Sequence, residues 1–320
     1  MISFIIIGRN EGWKLTKCFE SVLTTIKQNQ LKDYEVIYVD SLSIDDSIAR
    51  AMAFNTIKSF KITGTGNAAI ARNIGAKEAN GDVLFFIDGD MEIQADFLPL
   101  VYNEKDGLLF NFVSGNWIDY NYNDSWSLIS KSIAKINKNN SDSLVYTTGG
   151  LFLIKSSLWF KVGGMKNKLH RNQDWDIALR LAKQRVCLVR KNEVLAFHHT
   201  IPYNDKHRMW QLVFSGAKFY RMVILRDNLF NMYQWKFFFR RNYTFLALLV
   251  SLLLIVFFQK PLYLLIYLFL IIGRNIINNE RSLKLVLSSI ILRLYYELLM
   301  IFALFLFWPK EHKEEYIKVE

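Results

Sequence analysis

The sequence predicts an α/β domain built on a mainly parallel sheet and followed by C-terminal membrane helices. Three observations carry that expectation. Short apolar runs alternate with helix-period segments from Ile2 to about Asp90, the pattern of βα units. Carboxylates recur where those runs end, Asp40 after the second and Asp88 and Asp90 after the fourth. Finally, a 52% hydrophobic content with 25 Phe is concentrated in the C-terminal third, so the two parts are made for two solvents.

The first apolar run is read as a strand over 3–7. It is too short for a signal peptide and lacks a basic leading region, so the N-terminal domain is expected to stay on the side where it is made. Further strands are expected over 34–39, 59–62 and 83–87. Leu15, Phe19, Val22, Leu23 and Ile26 recur at three and four residues and predict an amphipathic helix. Ser43 followed by Asp46 resembles a cap opening a second helix, and 67–79 reads as a third. Over 91–145, Asn, Asp and Tyr accumulate in NWIDYNYNDSW and KINKNNSD, which predicts surface loops and an acceptor-facing segment. TTGGLFLIKSSLWFKVGGM supplies a Gly pair, a strand, a short helix and a second Gly pair. NQDWDIALRLAKQ opens a helix with acids in its first turn, and VCLVR reads as the strand after it.

A formal net charge of +11 implies a negatively charged partner, which is nucleic acid, the anionic face of a membrane or a phosphate-rich small molecule. Cys18 and Cys187 are far apart in apolar surroundings and read as reduced core thiols. Basic and aromatic residues interleave from 202 to 241: Lys206, His207, Arg208 and Trp210, then Lys218, Arg221, Arg226, Trp235, Arg240 and Arg241. Because this stretch leads straight into an apolar run, a membrane-surface helix is favoured over a nucleic-acid interface. The runs 243–258 and 262–272, separated by Gln259, Lys260 and Pro261, each fall short of the roughly 20 residues a span needs. A tight, tilted hairpin is expected, with a re-entrant or interfacial pair as the alternative. The run 285–308 is long enough to cross, and Arg293 and Glu297 lie one helical turn apart in it, a spacing that lets them pair. Arg240 and Arg241 before the hairpin, with Arg274, Arg281 and Lys284 after it, put its ends on the cytoplasmic face. The units expected are therefore 1–200, a juxtamembrane segment 201–242, membrane helices over 243–309 and a charged tail over 310–320.

Ligands of an open parallel sheet bind beyond the carboxyl ends of its strands, where Asp88, Gly89 and Asp90 stand. Two carboxylates with a glycine between them hold an oxygen-loving divalent cation that also grips a diphosphate, or else form a polar turn. Asp40 and the stretch 8–11 occupy neighbouring strand ends, so three polar termini converge on one crevice. GTGNAA over 64–69 matches G-x-G-x-x-A, with Asp82 and Asp88 roughly twenty residues on. A dinucleotide fingerprint normally fills the first βα turn, however, and this one fills the third.

FIIIGRNE, YEVIYVDSLSIDDS, AARNIGAKEANGDVLFFIDGDM, TGGLFLIKSSLWFKVGGM and QDWDIALRL, in that order over residues 1–200, resemble the family 2 glycosyltransferases of membrane-associated bacterial type. The resemblance implies the GT-A fold, Rossmann-like with a mainly parallel sheet. It implies that Asp40 hydrogen-bonds the nucleotide base, usually uracil, with Gly8, Arg9 and Glu11 lining the nucleoside pocket and Arg72 approaching the base or diphosphate. Asp88 and Asp90 would be the DxD pair on Mg2+ or Mn2+, with Asp90 the direct ligand, and one of His198 and His199, with His199 ranked first, a metal or diphosphate contact. Asp174 matches the family's catalytic base, but Gln173 stands where Glu is common and Asp176 is close, so the base is left between Asp174 and Asp176. The activity implied is metal-dependent, inverting transfer from a nucleoside-diphosphate sugar, UDP-linked in most members. The acceptor implied is a lipid-linked or saccharide hydroxyl, for cell-surface glycan synthesis at the cytoplasmic face of the inner membrane. DGDMEIQADFLPL lacks the DLQDPP-like segment of polyprenyl-phosphate sugar transferases, which favours a sugar hydroxyl over polyprenyl phosphate as acceptor. A catalytically weak membrane partner that binds nucleotide-sugar or lipid is the alternative of another class, and nucleic acid is not expected as a partner.

Overall fold

The computed structural model describes residues 1–134, 141–202, 216–279 and 283–319. Lys206, His207, Arg208, Trp210 and Arg281, named above for their charge or rings, lie outside the described residues. The chain divides into two compact units, Met1–Ser215 with Pro309–Glu320, and Gly216–Trp308.

In the first unit, β1 (Ile2–Gly8), β2 (Tyr34–Asp40), β3 (Ile57–Ile62) and β4 (Val83–Asp88) pair in parallel in the order β3-β2-β1-β4. Helices α1 (Trp13–Gln28), α2 (Ser47–Met52) and α3 (Ala68–Glu78) make the crossovers. Every residue of β1 is buried, because one sheet face packs on Leu15, Phe19 and Val22 of α1 and the other on Ile70 and Ile74 of α3. Gly75 allows that closeness, since a Cβ there would collide with the Ile5 side chain. Asn67, expected as the first residue of α3, caps it instead, accepting the Ile70 N–H at 2.9 Å.

The second half of the sheet is mixed. After β5 (Met91–Ile93) and a small hairpin of β6 (Tyr102–Asn103) and β7 (Gly107–Leu108) come β8 (Phe112–Tyr122), β9 (Leu128–Ala134), β10 (Ser143–Val145), β11 (Phe152–Lys155) and β12 (Leu188–Thr200). β11 runs antiparallel between β4 and β8, while β8 and β12 are parallel. The loops expected within 91–145 are corrected here, because NWIDYNY is most of an eleven-residue strand. Its polar residues misled: Ser114, Asn116, Asp119 and Asn121 are buried rather than solvated. Between β11 and β12 lie α4 (Ser156–Lys161) and α5 (Gln173–Lys183), the latter packing Ile177, Ala178 and Leu181 into the same core as α3.

The charged tail expected over 310–320 is also corrected. Its β13 (Tyr316–Val319) joins the sheet antiparallel to β3. The Thr63 N–H donates to Glu315 O at 2.8 Å, and the Tyr316 hydroxyl donates to Glu78 at 2.6 Å. Gly64 and Gly66 of GTGNAA leave room for Glu315 and Leu42, whose atoms a Cβ would meet at 2.7 and 2.9 Å. Those glycines serve packing.

The second unit is helical: α6 (Ala217–Asp227), α7 (Met232–Phe258), α8 (Leu264–Asn279) and α9 (Leu283–Leu306). Helix α7 runs the basic-aromatic stretch into the apolar one across a kink at Asn242, where φ is −133° and ψ 29°. Gln259, at φ 54°, and the 3₁₀ turn Pro261–Tyr263 reverse the chain into α8, giving the helical hairpin. Met232–Phe258 and Val286–Leu306 are long and apolar enough to cross a membrane, and they expose Leu253, Phe257, Ile291 and Phe305. Arg293 and Glu297 pair at 2.6 Å as their spacing predicts. Arg226 donates to Ala303 O and Leu304 O near the end of α9, satisfying carbonyls that the helix itself leaves open.

Candidate active site

Strand register builds the site first. Gly8 is the partner of Asp40, and Ile7 is the partner of Asp88, so the carboxyl ends of β2, β1 and β4 stand side by side. Asp40 is fully buried; its carboxylate accepts the Tyr38 hydroxyl at 3.0 Å and the Ser43 N–H at 2.9 Å. The loop after β1 is tied to the loop after β2: Asn10 N–H donates to Ser43 Oγ, Ile44 N–H to Asn10 Oδ1, and Glu11 N–H to Ser47 Oγ. Arg9 is exposed in that loop. Glu11 lies across two bare glycines, since a Cβ on Gly8 or Gly89 would sit 3.2 or 3.1 Å from Glu11 Cγ. Burial and the negative charge of Asp90 raise the Glu11 carboxyl to about 7 against the pull of Lys14.

Arg72 reaches the same crevice from α3. It is 2% exposed, pairs with Asp88 and donates to Gly150 O at 3.3 Å, while its Nε is buried without a hydrogen-bond partner among the described residues. Gly150 makes the pairing possible, because a Cβ there would lie 2.7 Å from Asp88 Cγ and closer still to the carboxylate oxygen and the guanidinium. The Gly pair in TTGG was a readable signal, but its purpose was not.

Asp90 is held by the second-ranked of the two candidate histidines. His198 Nε2 is 3.3 Å from Asp90 Oδ2, and His198 Nδ1 is 2.7 Å from Asp119 Oδ1. Burial disfavours the imidazolium, but the two carboxylates outweigh it and the pKa rises to about 9. Burial likewise opposes ionisation of Asp90, and the His198 hydrogen bond overcomes it, holding the carboxyl below its ordinary range. His199, expected at the metal, is engaged elsewhere. Its Nδ1 meets the Tyr122 hydroxyl and its Nε2 meets Glu92, both at 2.9 Å, because neighbouring strand residues point to opposite faces. Asp119 was missed altogether, its strand having been read as a loop.

The two candidate bases separate at the start of α5. Asp176 is fully buried, 2.7 Å from Arg180 Nε and 3.3 Å from Lys166 Nζ, and Arg180 also donates to Val162 O and Gly164 O. A carboxylate fixed by two cations braces the loop before α5. Asp174 is half-buried and, among the described residues, has no salt-bridge partner of that kind. Burial raises its carboxyl to about 6 although Arg72 pulls the other way, and the charge of Asp88 adds to the rise. Asp174 thus feels the charges of Arg72 and Asp88.

Among the described residues, no group of three or more His, Cys, Asp or Glu is arranged to hold a metal ion alone. Asp88 and Asp90 nevertheless offer hard oxygen donors. A Mg2+-like ion that keeps its waters and takes diphosphate oxygens is commonly held by one or two carboxylates, so this pair fits as a partial cage.

A parallel sheet with acids and an arginine gathered at its strand ends defines a ligand-binding α/β protein of the nucleotide-handling kind. The model of glycosyl transferase family 2 matches residues 3–166, and the chain belongs to that family. It is 30% identical over 129 residues to glycosyltransferase GlyG of Streptococcus pneumoniae, covering 39% of this chain and 41% of that protein. It is 31% identical over 110 residues to the poly(ribitol-phosphate) beta-N-acetylglucosaminyltransferase TarP of Staphylococcus aureus, covering 32% of each chain. The chain thus matches less than half the length of either relative. A crystal structure of S. aureus TarS 1–349 superposes with a TM-score of 0.56 at 12% identity over 95% of this chain and 90% of that one. The complex of TarS 1–349 with UDP-GlcNAc gives 0.54 at 13% identity over 72% and 67%. The fold is therefore GT-A-like.

Proposed function

We propose that this protein is an inverting glycosyltransferase. It moves a sugar from a nucleoside-diphosphate sugar to a hydroxyl of a lipid-linked or saccharide acceptor in cell-surface glycan synthesis. Its catalytic unit works on the cytoplasmic face of the inner membrane, to which the apolar helices attach it. The observation that carries the reading is the convergence of Asp40, Asp88, Asp90 and Arg72 at adjoining strand ends, with Asp174, whose carboxyl burial raises to about 6, within reach of the charges of Arg72 and Asp88. A base is most useful when its pKa lies near the working pH. The UDP-GlcNAc bound by TarS and the acetylglucosaminyl transfer named for TarP support a UDP-linked donor.

Asp174 takes the proton from the acceptor hydroxyl as that oxygen bonds the anomeric carbon. The bond from that carbon to the diphosphate oxygen breaks on the opposite face, which inverts the configuration. Arg72, with Nε unpartnered among the described residues, donates to the departing diphosphate, where negative charge grows most in the transition state. Asp88 and Asp90 would hold Mg2+ or Mn2+, which supplies further neutralisation of that diphosphate. His198, braced by Asp119, fixes the orientation of Asp90. Asp40, Gly8, Arg9 and Glu11 form the nucleoside side of the cleft. Proton removal by a placed base is worth about 100- to 10,000-fold. Asp174→Asn is therefore expected to lower transfer at least about 100-fold while nucleotide affinity stays within about twofold. The assay is release of nucleoside diphosphate from a panel of nucleotide-sugars with Mn2+ and extracted lipid in detergent. Release from no donor sinks the proposal, and unchanged turnover of the Asn variant removes Asp174 from the role.

A further inference from the structure

The helical unit collects positive charge where water is scarce. Residues 216–308 contain eleven Lys and Arg against three Asp and Glu. Lys218 and Arg221 are one turn apart on α6 and share a face. Lys218 Nζ lies 4.4 Å over the ring of Tyr296 on α9. Arg293, Tyr296 and Glu297 form one stripe of α9 by the same spacing. From that stripe Arg293 Nη2 donates to Arg241 O and Thr244 Oγ1 of α7, each at 3.1 Å. Arg274 of α8 stacks 4.9 Å over Tyr243, the neighbour of Thr244. Four helices thus bring Lys218, Arg221, Arg274 and Arg293 into one neighbourhood, with the Arg241 guanidinium lying over the Phe237 ring beside it. Glu297, fully buried, pairs with Arg293 and accepts the Thr244 hydroxyl.

Lys218 and Arg274 form no ion pair among the described residues, and Arg274 Nη1 is buried without a hydrogen-bond partner there. Burial first, then the charges of Arg221, Arg293, Arg241 and Arg274, lowers the Lys218 ammonium to about 7. The field at this point is positive from several directions, and like charges held together in a poorly hydrated place repel unless an anion joins them. Guanidinium forks and a lysine at one focus match the tetrahedral oxygens of a phosphate, which carries enough charge to satisfy several cations at once. We propose that this cluster binds a phosphate group, borne on a lipid headgroup or free as phosphate or diphosphate. The exposed apolar faces of α7 and α9 put a lipid within reach, and Arg241 is exposed. This inference needs nothing from the sugar-transfer reading.

The test uses the full chain in neutral detergent at fixed ionic strength and reads thermal unfolding. One arm adds inorganic phosphate or pyrophosphate; the other adds phosphatidylcholine micelles with and without phosphatidylglycerol or a polyprenyl phosphate. A phosphate-bearing probe is expected to stabilise the parent protein, with affinity reduced at least about tenfold in the Lys218→Gln, Arg274→Gln double variant. If that variant does not fold, Arg221→Gln alone is expected to weaken the same titration severalfold. Stabilisation by inorganic phosphate or pyrophosphate supports the site with a soluble anion, and stabilisation only by the charged lipid supports it with a headgroup. No shift with any phosphate-bearing probe, or equal shifts in parent and variants, overturns it.

Discussion

Replacing Gly150 by alanine tests the geometry of the crevice without touching a charged residue. The added Cβ would lie 2.7 Å from Asp88 Cγ, whereas ordinary van der Waals contact begins at 3.4 Å. The Asp88 carboxylate and the Arg72 guanidinium therefore have to retreat by on the order of 1 Å, since the oxygen lies closer than Cγ. Neither moves freely. Arg72 is 2% exposed, and Asp88 is a short side chain at the end of a buried strand. A misplacement of about 1 Å at a reacting centre costs on the order of 100-fold in rate, or roughly 2.7 kcal/mol of transition-state stabilisation. Overpacking adds a stability loss of about 1–3 kcal/mol. The assay is kcat/KM for the best donor, with thermal unfolding of the same preparations. A Gly150→Ala protein that is folded at the assay temperature and retains kcat/KM within about threefold would refute the claim that the Arg72 and Asp88 pair organises the chemistry.

Other outcomes follow from the same site. Because the proposed base, Asp174, would act as a carboxylate and burial lifts it to about 6, turnover is expected to fall about tenfold per pH unit below that value. A profile flat from about pH 7 to about pH 5 excludes Asp174 as the titrating group. Asp176→Asn should cost about 3–5 kcal/mol in urea unfolding by leaving Arg180 and Lys166 without their buried partner, and a loss under about 1 kcal/mol contradicts the bracing role. His198→Gln should weaken metal-dependent nucleotide binding by about tenfold, with His199→Gln within about twofold of the parent; the reverse order would restore His199 to the metal.

The parallel half of the fold was legible because its strands are apolar on both faces and its first helix repeats Leu15, Phe19, Val22 and Ile26 at helical spacing. Arg293 and Glu297 were legible too, since their pairing depends on helical spacing alone. The mixed half was not. β8 buries Ser114, Asn116, Asp119 and Asn121, so its composition imitates a surface segment while its environment is interior. The choice between His198 and His199 turned on which face of β12 each occupies. That strand shifts register twice, between Arg190 and Val194 and again between Val194 and Ala196, and each irregularity resets the parity that alternation supplies. Asp174 and Asp176 looked equivalent at the head of α5, and they were separated by Lys166, Arg180 and the carbonyls at 162 and 164, which only the folded loop assembles.

β13 imposes an order on biosynthesis. Its partner β3 leaves the ribosome before any of the helical unit exists, and about 250 further residues must be made before 316–319 arrive. At ordinary translation speeds that interval is on the order of tens of seconds. Throughout it, the outer side of β3 offers unpaired amides and carbonyls to any neighbouring nascent chain. Lys58 and Lys61 lie on that strand, and charge at such a margin discourages illegitimate pairing until the proper strand docks.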